Sequence, residues 1–198
     1  MNGNGAALLT NPHPCGHIVY PYTDENLVGQ AVCLFATAGL LGGEGVLLIT
    51  SAEHYAPIRR RLQAEIPDLA EYERSGRLTS VSTEDLMARF MDHGVIDEDR
   101  FRTAISALIN NVRATTRGKV RVFGEMVSQL RSTNLTATTR LEELWNEVVK
   151  EHSVALLCTY ALHNAEDHIP DVLIDLHAQN IERDAEFSET QADHAAST

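Results

Sequence analysis

The chain has 198 residues, 43 % of them hydrophobic, with 16 basic residues against 28 acidic ones and a formal net charge of −12. That length and apolar content suit one sizeable domain with short tails, and the acidic balance argues against broad contact with DNA or RNA, whose phosphates reward clustered Lys and Arg. No run approaches the roughly 20 apolar residues of a membrane span, and residues 1–14 lack the basic and apolar regions of a secretory signal, so the expectation is a soluble, cytoplasmic protein without membrane contact.

Residues 1–16 are rich in Gly, Asn and Pro and read as a flexible N-terminal segment. His17 to Tyr22 (HIVYPY) is β-branched and aromatic, as a first strand should be. Thr23 or Asp24 can cap the helix that follows, and Glu25 to Leu40 spaces Leu27, Ala31, Leu34, Phe35 and Ala38 for one helical face. Gly45 to Thr50 (GVLLIT) is the continuous apolar run of a strand buried on both sides. Tyr55 to Glu65 predicts a second helix bearing Arg59, Arg60 and Arg61. Arg77 to Ser82 is a weaker strand, followed by helices from Thr83 to Met91 and from Asp97 to about Arg113. Lys119 to Phe123 (KVRVF) is the next strand, followed by Gly124, Glu125 and a short helical piece at 126–130. Thr136 to Glu151 is amphipathic, with Leu141, Leu144, Trp145 and Val148 on one face. Val154 to Tyr160 (VALLCTY) is another buried strand, and 169–181 could form a last helix. Glu182, Asp184, Glu186, Glu189 and Asp193 face only Arg183, which marks 182–198 as an acidic disordered tail.

Alternating strands and helices of this kind imply an α/β fold: a mainly parallel sheet with helices on both faces, three layers in all, over residues 17–181. The stretch from Val32 to Glu53, VCLFATAGLLGGEGVLLITSAE, resembles the helix–GLxxGE–strand segment of RecA-like and KaiC-like ATPases. In those enzymes a GxxxxGK[ST] loop precedes the helix, its backbone amides and lysine holding phosphates and its hydroxyl holding magnesium. Here that connection is Tyr22-Thr23-Asp24-Glu25-Asn26, with no glycine, no lysine and two carboxylates. HIVYPYTDENL at 17–27, GLLGGEGVLLITSAEH at 39–54, YERSGRLTSVSTEDLMARFMDHGVIDEDRF at 72–101, VRVFGEMVSQL at 120–130, LEELWNEV at 141–148 and HSVALLCTYAL at 152–162 together resemble the MEDS domain, the sensory domain of methanogen and methylotroph regulators. The resemblance implies a RecA-like sheet with a degenerate phosphate-binding loop, and a role in sensing small molecules such as hydrocarbon derivatives.

In sheets of this class ligands bind at the C-terminal strand ends. The candidate ligand-binding residues are Tyr20, Tyr22, Thr23 and Asp24 after the first strand, Ser51 and Glu53 after the second, Glu125 after the fourth, and Tyr160 and His163 after the fifth. His17 joins them as a ligand contact or pH-sensitive group, its commoner role being that of a satisfied structural histidine. Glu125 is either an acid facing a ligand or a carboxylate bonded to a neighbouring loop, with Arg121 as its partner only if the two share a side. Glu44 reads as a turn or salt-bridge residue, the three arginines as a solvated helix face, and Trp145 as core or, second, a partner surface. Cys15, Cys33 and Cys158 form no metal-ligand or disulfide pattern, and Cys33 and Cys158 lie in apolar runs. The nine histidines match no metal-site spacing, so neither a metal nor a cofactor is expected, and no nucleophile elbow is present.

The function expected is therefore non-catalytic sensing or regulation, in signal transduction or transcriptional control. With no helix-turn-helix or kinase pattern in the chain, its output would run through a separate regulatory protein (a kinase, an anti-sigma factor or a transcription factor) or through self-association into a homo-oligomer. Two alternatives stand beside it: residual nucleotide binding or ATPase-like chemistry using Glu125, and a pure protein-interaction module.

Overall fold

The computed structural model describes residues 3–116, 118–164 and 166–187. A six-stranded sheet forms its middle layer, made of β1 (His17–Tyr22), β2 (Gly45–Thr50), β3 (Leu78–Ser82), β6 (Val120–Gly124), β7 (Ala155–Ala161) and β8 (Gln179–Asn180). The strand order is β3-β2-β6-β7-β1-β8 and every pairing is parallel. A parallel sheet needs crossover helices that cover both faces, which is why β2 and β6 are buried along their whole length.

One face carries α1 (Gly3–Thr10), α2 (Glu25–Leu41), α3 (Ala52–Glu65) and α4 (Leu69–Arg74), packed on Ile18, Tyr20, Val46, Leu48, Phe123 and Leu157. The other carries α5 (Thr83–Phe90), α6 (Glu98–Ala114), α7 (Met126–Arg131), α8 (Leu135–His152) and α9 (Asp171–Ile174). These pack on the alternate residues Val19, Leu47, Ile49, Val122, Leu156 and Cys158. The three-layer α/β expectation is thus met, with a two-residue hairpin of β4 (Met91–Asp92) and β5 (Val95–Ile96) added outside the sheet. Trp145 lies in the second core, edge-on to Phe101 at 5.4 Å between ring centroids, and is no partner surface.

Both ends of the expected domain carry further structure. Residues 3–10 form the helix α1, whose end Arg121 closes by reaching across from β6. Its Nη1 donates to the Leu9 carbonyl at 2.8 Å and its Nη2 to the Thr10 carbonyl at 3.0 Å. Residues 182–187 are likewise folded: Asp184 accepts from the Thr23 amide at 2.6 Å, and Phe187 packs edge-on against Tyr20 at 5.6 Å. The remainder of the expected acidic tail, 188–198, lies outside the described residues. The expected helix over 169–181 is confined to α9; beyond it Asn146 Nδ2 donates to the Leu176 carbonyl at 2.8 Å, and the chain leaves as the edge strand β8.

Arg121 shares the α1–α2 face with Glu125 but stands at the other end of β6 and is not its partner. Its Nε donates to Glu44, and its Nη1 also reaches the Phe35 carbonyl at 3.1 Å. Glu44 therefore has the salt-bridge role expected of it.

Candidate functional site

Strand-end geometry assembles one cleft from the beginning of α2, the beginning of α3 and the end of β6. Its volume is about 220 Å³, and its lining includes Glu25, Val28, His54, Ile58, Phe123 and Glu125. Three titratable side chains form a line across it. His54 Nδ1 lies 2.7 Å from Glu125 Oε2, and His54 Nε2 lies 3.0 Å from Glu25 Oε2. With a carboxylate at each ring nitrogen, both nitrogens act as donors and the imidazole is held as a cation. The hydrogen bond that His54 donates to Glu125 is the main cause that lifts His54 from 6.5 to about 8, against the opposing effect of burial. Burial raises Glu25 from its ordinary value, and His54 partly offsets that rise.

Glu125 is buried, and its second oxygen accepts from the Ser51 backbone amide. Ser51 in turn caps α3, its hydroxyl accepting from the His54 amide at 3.3 Å. The cap thereby sets the direction in which His54 leaves the helix. Glu125 is thus bonded to a neighbouring loop and still faces the cleft. At the start of α2, Asp24 accepts from the Asn26 amide at 2.8 Å and Glu25 lies in the first turn. The helix end that would attract an anion is occupied by the protein's own carboxylates, with Asp184 against Thr23 beside it.

A second polar cluster lies on the other face of the sheet, among residues excluded from solvent. Glu142 projects from α8 between His17 of β1 and His177 beyond α9. His17 Nε2 to Glu142 Oε2 and His177 Nε2 to Glu142 Oε1 are both 3.3 Å. Cys158 Sγ is 3.3 Å from His17 Nε2 and 3.8 Å from Glu142 Oε2, and the Tyr160 hydroxyl donates to Glu142 Oε1. Burial raises the Cys158 thiol and the Tyr160 phenol well above their ordinary values, and the Glu142 charge adds to both effects.

The family model described as "MEthanogen/methylotroph, DcmR Sensory domain", MEDS, matches residues 16–178. The chain belongs to the MEDS family. A search of curated proteins finds no match. The MEDS match spans both clusters, and it establishes that this is a domain of a sensory family.

Of the residues singled out in the MEDS sequence, Glu125 lines the cleft and Ser51 bonds it from behind through its backbone amide. Tyr22 is buried beneath its α2 side; Thr23 and Asp24 cap and flank α2 at the surface, and Glu53 is exposed on α3. Tyr20 points into the α1–α2 core, donating to the Ala185 carbonyl at 3.0 Å. His17 and Tyr160 belong to the buried cluster on the opposite face. His163 is exposed in the loop after β7, where its amide donates to Asp167 Oδ2 at 3.0 Å and Asp167 is paired with Arg131. The single strand-end site expected from sequence is therefore two sites on opposite faces, plus surface residues. Sequence reasoning passes over His54 and Glu142, takes Glu25 only as one of two carboxylates in the 22–26 connection, and takes His177 only as one of the nine histidines. For His54 a signal exists, since it stands three residues past a Ser cap at the end of a buried strand. For Glu142 the signal is a carboxylate bordering the Leu141–Trp145 stripe of an amphipathic helix.

None of the helices among the described residues is long and apolar enough to cross a membrane.

Proposed function

We propose that this MEDS domain is a non-catalytic sensor that takes a small organic molecule with an apolar body and one hydrogen-bonding group into the strand-end cleft. It passes the bound state to a separate regulatory protein in signal transduction or transcriptional control. The observation that carries this reading is the composition of the cleft wall. Val28, Pro57, Ile58 and Phe123 provide an apolar surface, and Glu25, His54 and Glu125 concentrate polarity along one edge. Pockets with a mostly apolar lining and a few convergent polar groups are the usual form of small-molecule sites.

The 22–26 connection is read here as a phosphate loop that has lost its function. Like charges about 4 Å apart repel by about 4 kcal/mol at an effective dielectric near 20. Asp24 and Glu25 together oppose a triphosphate at the start of α2, where the cation of His54 is already taken up between Glu25 and Glu125 and Arg61 is bonded to Asn26.

Thermal-shift and calorimetric titrations with short-chain alcohols, amines and halogenated hydrocarbons test the proposal, since a ligand of the folded state raises its apparent stability. Gly29 lines the cleft, and a Cβ there would meet only the end of Arg61, Nε at 3.3 Å. Gly29→Leu should therefore fill the cleft and abolish the ligand shift while leaving the fold intact. Magnesium-ATP should give no shift. Micromolar ATP binding that disappears in Glu125→Gln would instead establish the nucleotide-binding alternative.

A further inference from the structure

We propose that His17, Glu142, Cys158 and His177 bind one divalent transition-metal ion of the zinc class in a closed, four-coordinate site, separate from the strand-end cleft. Each offers one ligand atom, all four residues are buried, and the four atoms lie within 4.8 Å of one another. Metal–ligand bonds of about 2.0–2.3 Å in a tetrahedron place ligand atoms about 3.3–3.8 Å apart. His17 Nε2, Cys158 Sγ and Glu142 Oε2 fall in that range, at 3.3 Å for His17–Glu142, 3.3 Å for His17–Cys158 and 3.8 Å for Cys158–Glu142, while His177 Nε2 lies 3.3 Å from the other carboxylate oxygen, Glu142 Oε1.

The surroundings of the two imidazoles point the same way. His177 Nδ1 faces the Leu173 carbonyl at 2.8 Å, and His17 Nδ1 faces Asn146 Oδ1 at 3.0 Å. The Asn146 amide nitrogen is committed to the Leu176 carbonyl, so its oxygen is what His17 meets. Both Nδ1 atoms must carry the proton, and both Nε2 atoms turn toward the cluster. This arrangement, with the outer ring nitrogen donating to a carbonyl, is the one that orients metal-binding histidines. His177 Nε2 is buried and makes no well-aligned hydrogen bond, although Glu142 Oε1 lies 3.3 Å away, and a lone pair turned toward a carboxylate costs free energy unless a cation lies between them.

Charge balance selects the ion. Two neutral imidazoles, one carboxylate and one thiolate carry two negative charges, which a divalent cation neutralises in a place where net charge is costly. The mixed nitrogen, sulfur and oxygen set suits zinc and disfavours magnesium or calcium. Binding exchanges the Cys158 thiol proton for the metal and releases it to solvent. Spacing along the chain conceals the set, because positions 17, 142, 158 and 177 come from β1, α8, β7 and the turn after α9. An ion there would fasten the C-terminal segment to the sheet.

The test uses the full chain, stripped with a chelator and titrated with Co²⁺, whose absorption reports geometry and thiolate ligation, followed by Zn²⁺. One Co²⁺ per chain is expected, with tetrahedral d–d bands and a thiolate charge-transfer band that one Zn²⁺ displaces. Cys158→Ser should remove the charge-transfer band, Cys33→Ser should keep it, and Asn146→Leu should weaken binding about 10–100-fold. Failure of the wild-type chain to take up a stoichiometric ion, or uptake without a thiolate band, overturns the proposal even where a variant does not fold. Persistence of the band in Cys158→Ser does so as well.

Discussion

The His54 bridge makes a prediction about stability and pH. In the folded chain the imidazole titrates at about 8 instead of 6.5, so protonated His54 favours the folded state. At about 1.4 kcal/mol per pH unit of displacement, the stabilisation has a ceiling of about 2 kcal/mol. The His54 side chain keeps 28 % of its exposure, and solvent screening brings the expected contribution nearer to about 1 kcal/mol. Because the folded value lies above the unfolded one, the contribution is complete below pH 6.5 and fades as pH rises through about 8. Urea unfolding followed by the fluorescence of Trp145, the one tryptophan, measures it at intervals across that window. Comparison with His54→Gln subtracts every other titration. The wild-type advantage over the variant should shrink by about 1 kcal/mol from the acid to the alkaline side. A constant difference across the window, or one that grows with pH, would show that Glu125 and Glu25 do not hold the imidazole as a cation.

Two further predictions concern the scaffold. Arg121→Met removes the cation paired with Glu44 and leaves the Leu9, Thr10 and Phe35 carbonyls without their donor; a loss of about 3–5 kcal/mol is expected in urea unfolding, with α1 becoming the first site of proteolysis. Trp145→Ala empties the junction of α6 and α8 and should cost about 3–5 kcal/mol, whereas Trp145→Phe, which keeps an aromatic ring against Phe101, should cost clearly less in the same assay.

The sequence made the sheet legible and left the sites half hidden. β1 and β2 are found at their expected limits because unbroken apolar runs end at a turn or at a capping residue, Asp24 or Ser51. The hairpin and β8 were missed because two-residue strands carry no period. Glu125 was legible because a carboxylate directly after a buried strand is conspicuous. His54 was not, because what defines it is a pair of carboxylates from distant segments. Glu142 and His177 were invisible for the same reason. One sits in an otherwise ordinary amphipathic helix and the other in a segment that looks helical, and only tertiary packing brings them together.

The GLxxGE stretch at 39–44 gains a physical meaning from Arg121. A Cβ on Gly39 would stand 2.7 Å from Arg121 Cδ and 2.8 Å from its Nε, so only glycine lets the guanidinium pass under α2. Gly43, at φ +82°, makes the left-handed turn between α2 and β2, and Glu44 then receives the charge. All of this lies at the start of β2, the opposite end from Ser51, His54 and Glu125. The residues of that stretch therefore secure α2 and α1 to the sheet and touch nothing in the cleft. A scaffold fixed at one end of its strands leaves the other end, where Glu25, His54 and Glu125 meet, free to vary without loosening the sheet.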